Sequence, residues 1–127
     1  KMRKKAFNTV NRICGYSKKI QSFDYNLVWD KILSKPLNKN IYAGAFIDWD
    51  NTARKGIKGS IANNANPINF KKHFRILYKN AIASNTPYIF INAWNEWAEG
   101  TYLEPDIKYE YAYLACAFLH SGANSRY

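Results

Sequence analysis

Apolar residues recur three and four positions apart in three stretches, and this spacing predicts three amphipathic helices. The first begins after Asp24, a residue suited to cap a helix, and ends before Pro36. The second begins at Asn66 and Pro67, a cap followed by the proline favoured in a first turn. The apolar faces are Tyr25, Val28, Trp29, Ile32 and Leu33 in the first helix, Phe70, Phe74, Leu77, Tyr78 and Ala81 in the second, and Tyr111, Leu114, Ala115, Phe118 and Leu119 in the third.

Two mostly apolar runs, at residues 41–47 and 88–95, predict strands. The second run has no alternation of polar positions, which is typical of a strand buried on both faces in a parallel sheet covered by helices. The order helix, strand, helix, strand, helix predicts an α/β fold. A closed eight-stranded barrel takes roughly 250 residues, and this chain has 127. We therefore predict the carboxyl-terminal part of a (β/α)8 TIM-type barrel, or a truncated relative of one.

Acidic residues follow both predicted strands. Because ligands bind at the carboxyl ends of strands in α/β sheets and barrels, a binding site is predicted there. Asp48 and Asp50 either hold sugar hydroxyls or pair with Arg54 and Lys55. The candidate ligand contacts after the first strand are Asp48, Trp49 and Asp50, and those after the second are Asn95, Trp97 and Glu104.

Glu96 and Glu99 lie three residues apart around Trp97, and Gly100 permits a sharp turn after them. Paired carboxylates serve glycosyl chemistry, because one moves a proton while the other acts as base, nucleophile or charge stabiliser. The alternative is a surface acidic turn paired with Lys or Arg. Trp94 and Trp97 either stack on sugar rings or belong to the core, and Trp97 is the better ligand candidate because it lies past the strand. Neither His73 nor His120 is assigned a catalytic role.

Composition and charge narrow the class of protein. The hydrophobic content of 47% and the aromatic content of 17% argue against disorder, and no membrane-spanning or signal segment is visible. Cys14 and Cys116 are too isolated to indicate a disulfide framework or a zinc site, so a reducing, cytoplasmic location is predicted. We predict no metal and no cofactor.

The formal net charge is +10, and eight of the 19 basic residues fall within residues 1–31. We predict a basic variable segment at residues 1–23 and the partial barrel domain at residues 24–127. The basic segment is either a solvated surface or a contact with an anionic membrane surface, which would place the protein at a membrane. Nucleic acid is a weaker alternative, because no DNA- or RNA-binding motif accompanies the charge.

The string NAWNEWAEGTYLEPD, together with WDNTAR after the first strand, resembles the WbsX-like glycosyltransferase family of bacterial polysaccharide biosynthesis. That family is similar to the endo-α-mannosidase family of glycoside hydrolases, whose fold is a (β/α)8 barrel. The resemblance covers roughly residues 24–119 and implies that Glu96 and Glu99 are catalytic. Glu96 would be the base that engages the neighbouring sugar hydroxyl, and Glu99 the acid and base for the departing oxygen. Anomeric configuration would be retained through an epoxide-like intermediate.

The function predicted from these residues and this resemblance is that of a carbohydrate-active enzyme domain. It would transfer or hydrolyse glycosyl groups of a bacterial surface polysaccharide, such as lipopolysaccharide O-antigen or capsule. The alternative is a non-catalytic glycan-binding or assembly module. The remaining barrel strands are expected from a longer chain, so this part alone is expected to be inactive.

Overall fold

The computed structural model of the chain describes residues 19–38 and 40–121. Most of the predicted basic segment lies outside the described residues, as do Cys14 and the side chains of Leu119 and His120. No helix in the described ranges is long and apolar enough to cross a membrane.

Short strands alternate with helices along the described part of the chain, which confirms the predicted mixed α/β class. The strands are β1 (Gln21–Asp24), β2 (Ala43–Phe46), β3 (Ser60–Asn63), β4 (Ile89–Asn92), β5 (Asn95–Glu96) and β6 (Thr101–Tyr102). The helices are α1 (Tyr25–Leu33), α2 (Thr52–Lys55), α3 (Pro67–Ala83) and α4 (Ala112–Ser121). Two single 3-10 turns, Gly56–Lys58 and Trp97–Glu99, complete the order.

The strands form three separate pairs. β2 and β4, the two predicted strands, are parallel and run in register from Ala43 opposite Ile89 to Phe46 opposite Asn92. β1 and β3 form a second parallel pair, with Gln21 opposite Ser60, and β5 and β6 form an antiparallel hairpin. The connection between the parallel strands β2 and β4 is a long crossover that contains α2, β3 and α3.

The core lies where α1 and α3 meet β2. Trp29 and Tyr25 of α1 are fully buried, as is Phe70 of α3. The Trp29 ring stacks on His73 at a centroid distance of 5.5 Å and on Phe46 at 5.8 Å. The Tyr25 hydroxyl donates a hydrogen bond of 3.2 Å to the Phe46 carbonyl oxygen, so the end of β2 is fixed to α1.

Both predicted helix starts are confirmed. The Asp24 carboxylate accepts hydrogen bonds from the backbone N–H groups of Asn26 (2.8 Å) and Leu27 (3.1 Å) at the start of α1. The Asn66 side chain accepts one from Asn69 N (2.9 Å), with Pro67 as the first residue of α3. Capping satisfies backbone donors that have no partner within the helix, and it needs only neighbouring residues, so a sequence pattern can reveal it.

The prediction that residues 88–95 form a strand buried on both faces is wrong. Ile89 and Ile91 pack against the core, but Tyr88 is 62% exposed and Phe90 is 61% exposed. Together with Tyr42, whose ring lies 5.9 Å from Tyr88 and 5.8 Å from Phe90, they form an aromatic surface. Within the described residues the helices therefore cover one face of the β2 and β4 pair.

The predicted apolar face of the last helix is also wrong. α4 begins at Ala112, and among its described side chains Tyr113 and Cys116 are buried, whereas Tyr111 is 68% exposed and Phe118 is 66% exposed. Tyr113 is held in the core by an edge contact with Phe70 at 5.7 Å. Apolar residues occur all round this helix, so their spacing does not select one face and the tertiary contacts decide.

Candidate functional site

The carboxyl ends of β2 and β4 meet at one edge of their sheet, because the two strands are parallel. Asp48 follows β2 after Ile47, and the β5–β6 hairpin follows β4 after Ala93 and Trp94. The backbone N–H of Asp50 donates a 2.9 Å hydrogen bond to the Glu99 carbonyl oxygen. The two acidic segments that the sequence singled out are therefore joined directly.

The hairpin carries Glu96 on a strand and Glu99 in the connecting turn. Glu96 pairs with Thr101 across the hairpin. The buried Thr101 hydroxyl donates a 2.6 Å hydrogen bond to the Asn92 carbonyl oxygen at the end of β4. Gly100 closes the turn with a φ of 64°, in the left-handed region that glycine adopts without strain. Asn95 and Glu96 are exposed on β5, and the Thr101 bond fixes the hairpin that carries them to the end of β4.

Glu99 is engaged by a cation. Its carboxylate forms an ion pair with the Arg54 guanidinium of α2. For Glu99, the structure therefore shows the alternative, an acidic turn paired with an arginine. The pairing of Arg54 with Asp48 or Asp50 is not observed, because Arg54 contacts Glu99 instead. An ion pair holds a carboxylate in one orientation, which is compatible with either a structural or a catalytic role.

Asp50 makes local hydrogen bonds. Its Oδ1 atom accepts from Thr52 N at 2.9 Å and from the Thr52 hydroxyl at 2.5 Å. These bonds fix the start of α2 and thereby the position of Arg54 two residues later. The substrate contact predicted for Asp50 remains a prediction.

Asp48 is a half-buried carboxyl at the exit of β2. Burial raises the pKa of Asp48, and the charge of Asp50 adds to this, while a hydrogen bond from Trp49 N and the charge of Lys108 act in the opposite direction. A carboxyl that binds its proton more readily than usual is suited to hydrogen bonding with hydroxyl groups, either as donor or as acceptor.

Trp49 is held by two hydrogen bonds to residues of β3. Its indole Nε1 donates to the Ser60 hydroxyl at 3.0 Å, and its carbonyl oxygen accepts from Ala62 N at 2.8 Å. The ring lines a cavity of about 500 Å³ together with Phe46 and Asn92. Its hydrogen bonds give Trp49 a structural role, and the substrate contact predicted for it is not tested by them.

Trp97 and Glu104, both predicted ligand contacts, lie together. The Trp97 indole Nε1 donates a 2.8 Å hydrogen bond to Glu104 Oε2. Its ring stacks on Tyr102, with a centroid distance of 3.9 Å and an interplanar angle of 23°. Tyr102 was missed in the sequence, because only the hairpin register places it beside Trp97. Trp94 is half exposed as well, so neither tryptophan is a core residue.

Stability measurements can test whether ionised Asp48 destabilises the folded chain. Since its pKa is raised in the folded state, the folded chain holds the proton to higher pH than the unfolded chain, and stability is lost as pH rises above the ordinary value of 3.8. We expect Asp48→Asn, which keeps an acceptor for Trp49 N, to raise the urea midpoint at pH 7 and to leave it unchanged near pH 3. Asp30→Asn, at an exposed position of α1, is the control. A lower midpoint for Asp48→Asn at pH 7 would contradict this expectation.

Acids and aromatic rings thus lie at the carboxyl ends of two parallel strands, the end at which α/β proteins bind ligands. The chain belongs to the Glycosyltransferase WbsX family, whose model matches residues 1–117. The family membership inferred from the NEWAEG region is thus confirmed.

Two curated relatives are both described as uncharacterized protein WxcX, from two strains of Xanthomonas campestris pv. campestris. In strain B100 the relative is 37% identical over 97 residues, which cover 72% of this chain and 14% of that protein. In the second strain it is 41% identical over 78 residues, which cover 58% of this chain and 11% of that protein. The chain therefore spans a small part of the length of these relatives. No solved structure gave a match.

Proposed function

We propose that this chain forms the carboxyl-terminal part of a (β/α)8 barrel. Support comes from the parallel pairing of β2 and β4 and from α3 in the connection between them, because neighbouring strands of such a barrel are parallel and are connected through a helix. Tyr42 and Tyr88 immediately precede β2 and β4, and Phe90 lies in β4; side chains of further barrel strands would pack against these exposed rings. The relatives are several times longer than the matched region, which leaves ample chain for those strands.

The proposed activity is glycosyl transfer or hydrolysis on a bacterial surface polysaccharide. The observation that carries it is the hairpin that presents Glu96 and Glu99 beside the exit of β2. In the roles predicted for them, Glu99 gives its proton to the glycosidic oxygen as the C–O bond breaks. It then takes a proton from the incoming water or sugar hydroxyl, while Glu96 engages the hydroxyl of the reacting sugar.

The other predicted contacts differ in how well they suit a ligand. Asn95 and Trp97 are exposed beside the two glutamates, and Glu104 is bonded to Trp97. Asp48 is half-buried at the adjoining strand end. These four residues are the proposed substrate contacts, whereas the hydrogen bonds of Trp49 and Asp50 suit supporting roles.

A non-catalytic glycan-binding or assembly module is the second candidate. The ion pair between Glu99 and Arg54 favours it, because a carboxylate held by a guanidinium must leave that partner before it can protonate a leaving oxygen. The aromatic rings of the hairpin would serve a binding module as well as an enzyme.

The experiment incubates the full-length protein with nucleotide sugars plus a polysaccharide acceptor, and separately with α-linked mannosides. We expect turnover in one of the two assays and its loss in Glu99→Gln. A binding module would instead bind glycan in calorimetry with the same affinity in both forms and turn over neither class. That result would replace the enzymatic proposal with the second candidate.

A further inference from the structure

A groove of about 600 Å³ lies between the β5–β6 hairpin and the start of α4. Its lining includes Trp97, Tyr102, Asp106, Lys108, Glu110 and Tyr111. Neither Glu96 nor Glu99 lines it, so the groove is distinct from the place where the proposed reaction occurs. It shares one residue, Trp97, with the proposed substrate contacts. The groove is thus adjacent to the candidate catalytic residues.

The aromatic wall of this groove is fixed in place. Tyr102 covers one face of Trp97, and Glu104 holds the indole N–H. The Tyr102 hydroxyl donates a 2.8 Å hydrogen bond to Asp106 Oδ2. Burial, together with this hydrogen bond and the charge of Asp106, raises the pKa of Tyr102 to about 12, so its hydroxyl remains a donor at neutral pH. Rings that are already held lose little conformational entropy when a ligand stacks on them.

The opposite wall is a tight loop. Asp106 accepts a hydrogen bond from Tyr109 N and pairs with Glu110, whose N–H donates to the Asp106 carbonyl oxygen at 2.9 Å. Glu110 has a φ of 50°, in the left-handed region that is unfavourable for a residue with a side chain. Such backbone strain persists where surrounding contacts impose it, and it is concentrated at binding sites. The loop is therefore fixed by its own hydrogen bonds.

Two aromatic rings remain accessible in the groove. Trp97 is 49% exposed and Tyr111 is 68% exposed. Exposed aromatic faces beside carboxylates match the two surfaces of a sugar, whose C–H face is apolar and whose hydroxyls donate hydrogen bonds. The charged lining residues are Asp106, Glu110 and Lys108, two acids against one base. This local balance disfavours anionic sugars, although the chain as a whole carries a charge of +10.

We propose that this groove is a subsite for a neutral sugar residue of the glycan, next to the residue that reacts at Glu96 and Glu99. The proposal rests on the proposed function for its ligand class. Tyr111 stacks on that sugar, Trp97 separates the two subsites, and the carboxylate of Glu110 accepts from its hydroxyls. A glycan long enough to occupy the groove gains contacts that a short one lacks.

The test compares Tyr111→Ala with Phe118→Ala, a matched change of an exposed aromatic residue on α4 that does not line the groove. Both are made in the full-length protein that also carries Glu99→Gln, so that binding is measured without turnover. Calorimetry uses neutral manno-, gluco- and galacto-oligosaccharides of two and four residues, and mannuronic acid oligosaccharides of the same lengths.

We expect a neutral tetrasaccharide to bind more tightly than its disaccharide. Tyr111→Ala should weaken tetrasaccharide binding about fivefold, an amount typical of one aromatic contact, and leave the disaccharide unchanged. Phe118→Ala should change neither, and the mannuronic acid series should bind more weakly. Equal affinity for both lengths, no binding of either, or equal effects of the two variants overturns the subsite. Turnover by the unmodified protein alongside such a result would leave the proposed function standing.

Discussion

Glu99→Gln in the full-length protein should lower turnover by on the order of 10²-fold or more for substrates with poor leaving groups. Glutamine fills the same space but cannot give a proton to the departing oxygen. Substrates whose leaving groups depart without protonation should lose much less. The measurement is kcat/KM for aryl glycosides of graded leaving-group acidity.

Glu96→Gln should slow the whole series to a similar extent, also by on the order of 10²-fold or more, because Glu96 engages the sugar rather than the leaving group. The structure gives the two acids different surroundings. Glu96 lies exposed on β5, whereas Glu99 lies in the 3-10 turn against Arg54. Small, equal losses across the series for both variants would mean that the acids only bind.

Arg54→Met is the control for the Glu99 variant. It keeps the carboxylate and removes its ion-pair partner. If Glu99→Gln acted only by breaking the ion pair, Arg54→Met would reproduce the loss and its dependence on the leaving group. We expect instead a smaller loss that is similar for every leaving group. An exposed ion pair contributes roughly 1 kcal/mol or less to stability, so the variant should remain folded.

The elements that could be predicted from the sequence are those specified by neighbouring residues. The capping residues of α1 and α3 are Asp24 and Asn66. Each accepts hydrogen bonds from backbone N–H groups no more than three residues away. β2 and β4 lie within mostly apolar runs, although each is shorter than its run. Acidic residues follow both runs, so the sequence alone indicated where the candidate site lies.

The parts that were missed depend on contacts between distant residues. β1 and β3 are four-residue strands with polar positions, stabilised by each other across 39 positions of sequence from Gln21 to Ser60. The ion pair joins Arg54 to Glu99, 45 positions apart. The strands of the β5–β6 hairpin have two residues each, which is too short to show the alternation of apolar and polar residues typical of a strand. The residues of the candidate site could thus be predicted from the sequence, but the residues that contact them in the fold could not.

Gly100 lies against the Asp50 backbone between the two acidic segments, and Gly100→Ala should lower both stability and turnover. A Cβ atom there would lie 2.9 Å from Asp50 N and 3.0 Å from the Asp50 carbonyl oxygen. These are backbone atoms, and Asp50 N is already bonded to the Glu99 carbonyl oxygen, so they cannot move aside without breaking that bond. We expect a loss of stability of roughly 1–2 kcal/mol from the left-handed conformation and about 1–3 kcal/mol more from the clash.

Gly56→Ala is the control for the loss of turnover. Gly56 also has a positive φ, of 52°, with a ψ of −134° where Gly100 has 21°, and a Cβ atom there would meet nothing within 4 Å. Gly56→Ala should therefore lower the urea midpoint through its conformational cost and leave turnover of the full-length protein unchanged. Gly100→Ala should lower the midpoint and also reduce kcat, because it separates Glu96 and Glu99 from the exit of β2. Equal turnover for the two variants would show that the contact between Gly100 and Asp50 does not position the hairpin.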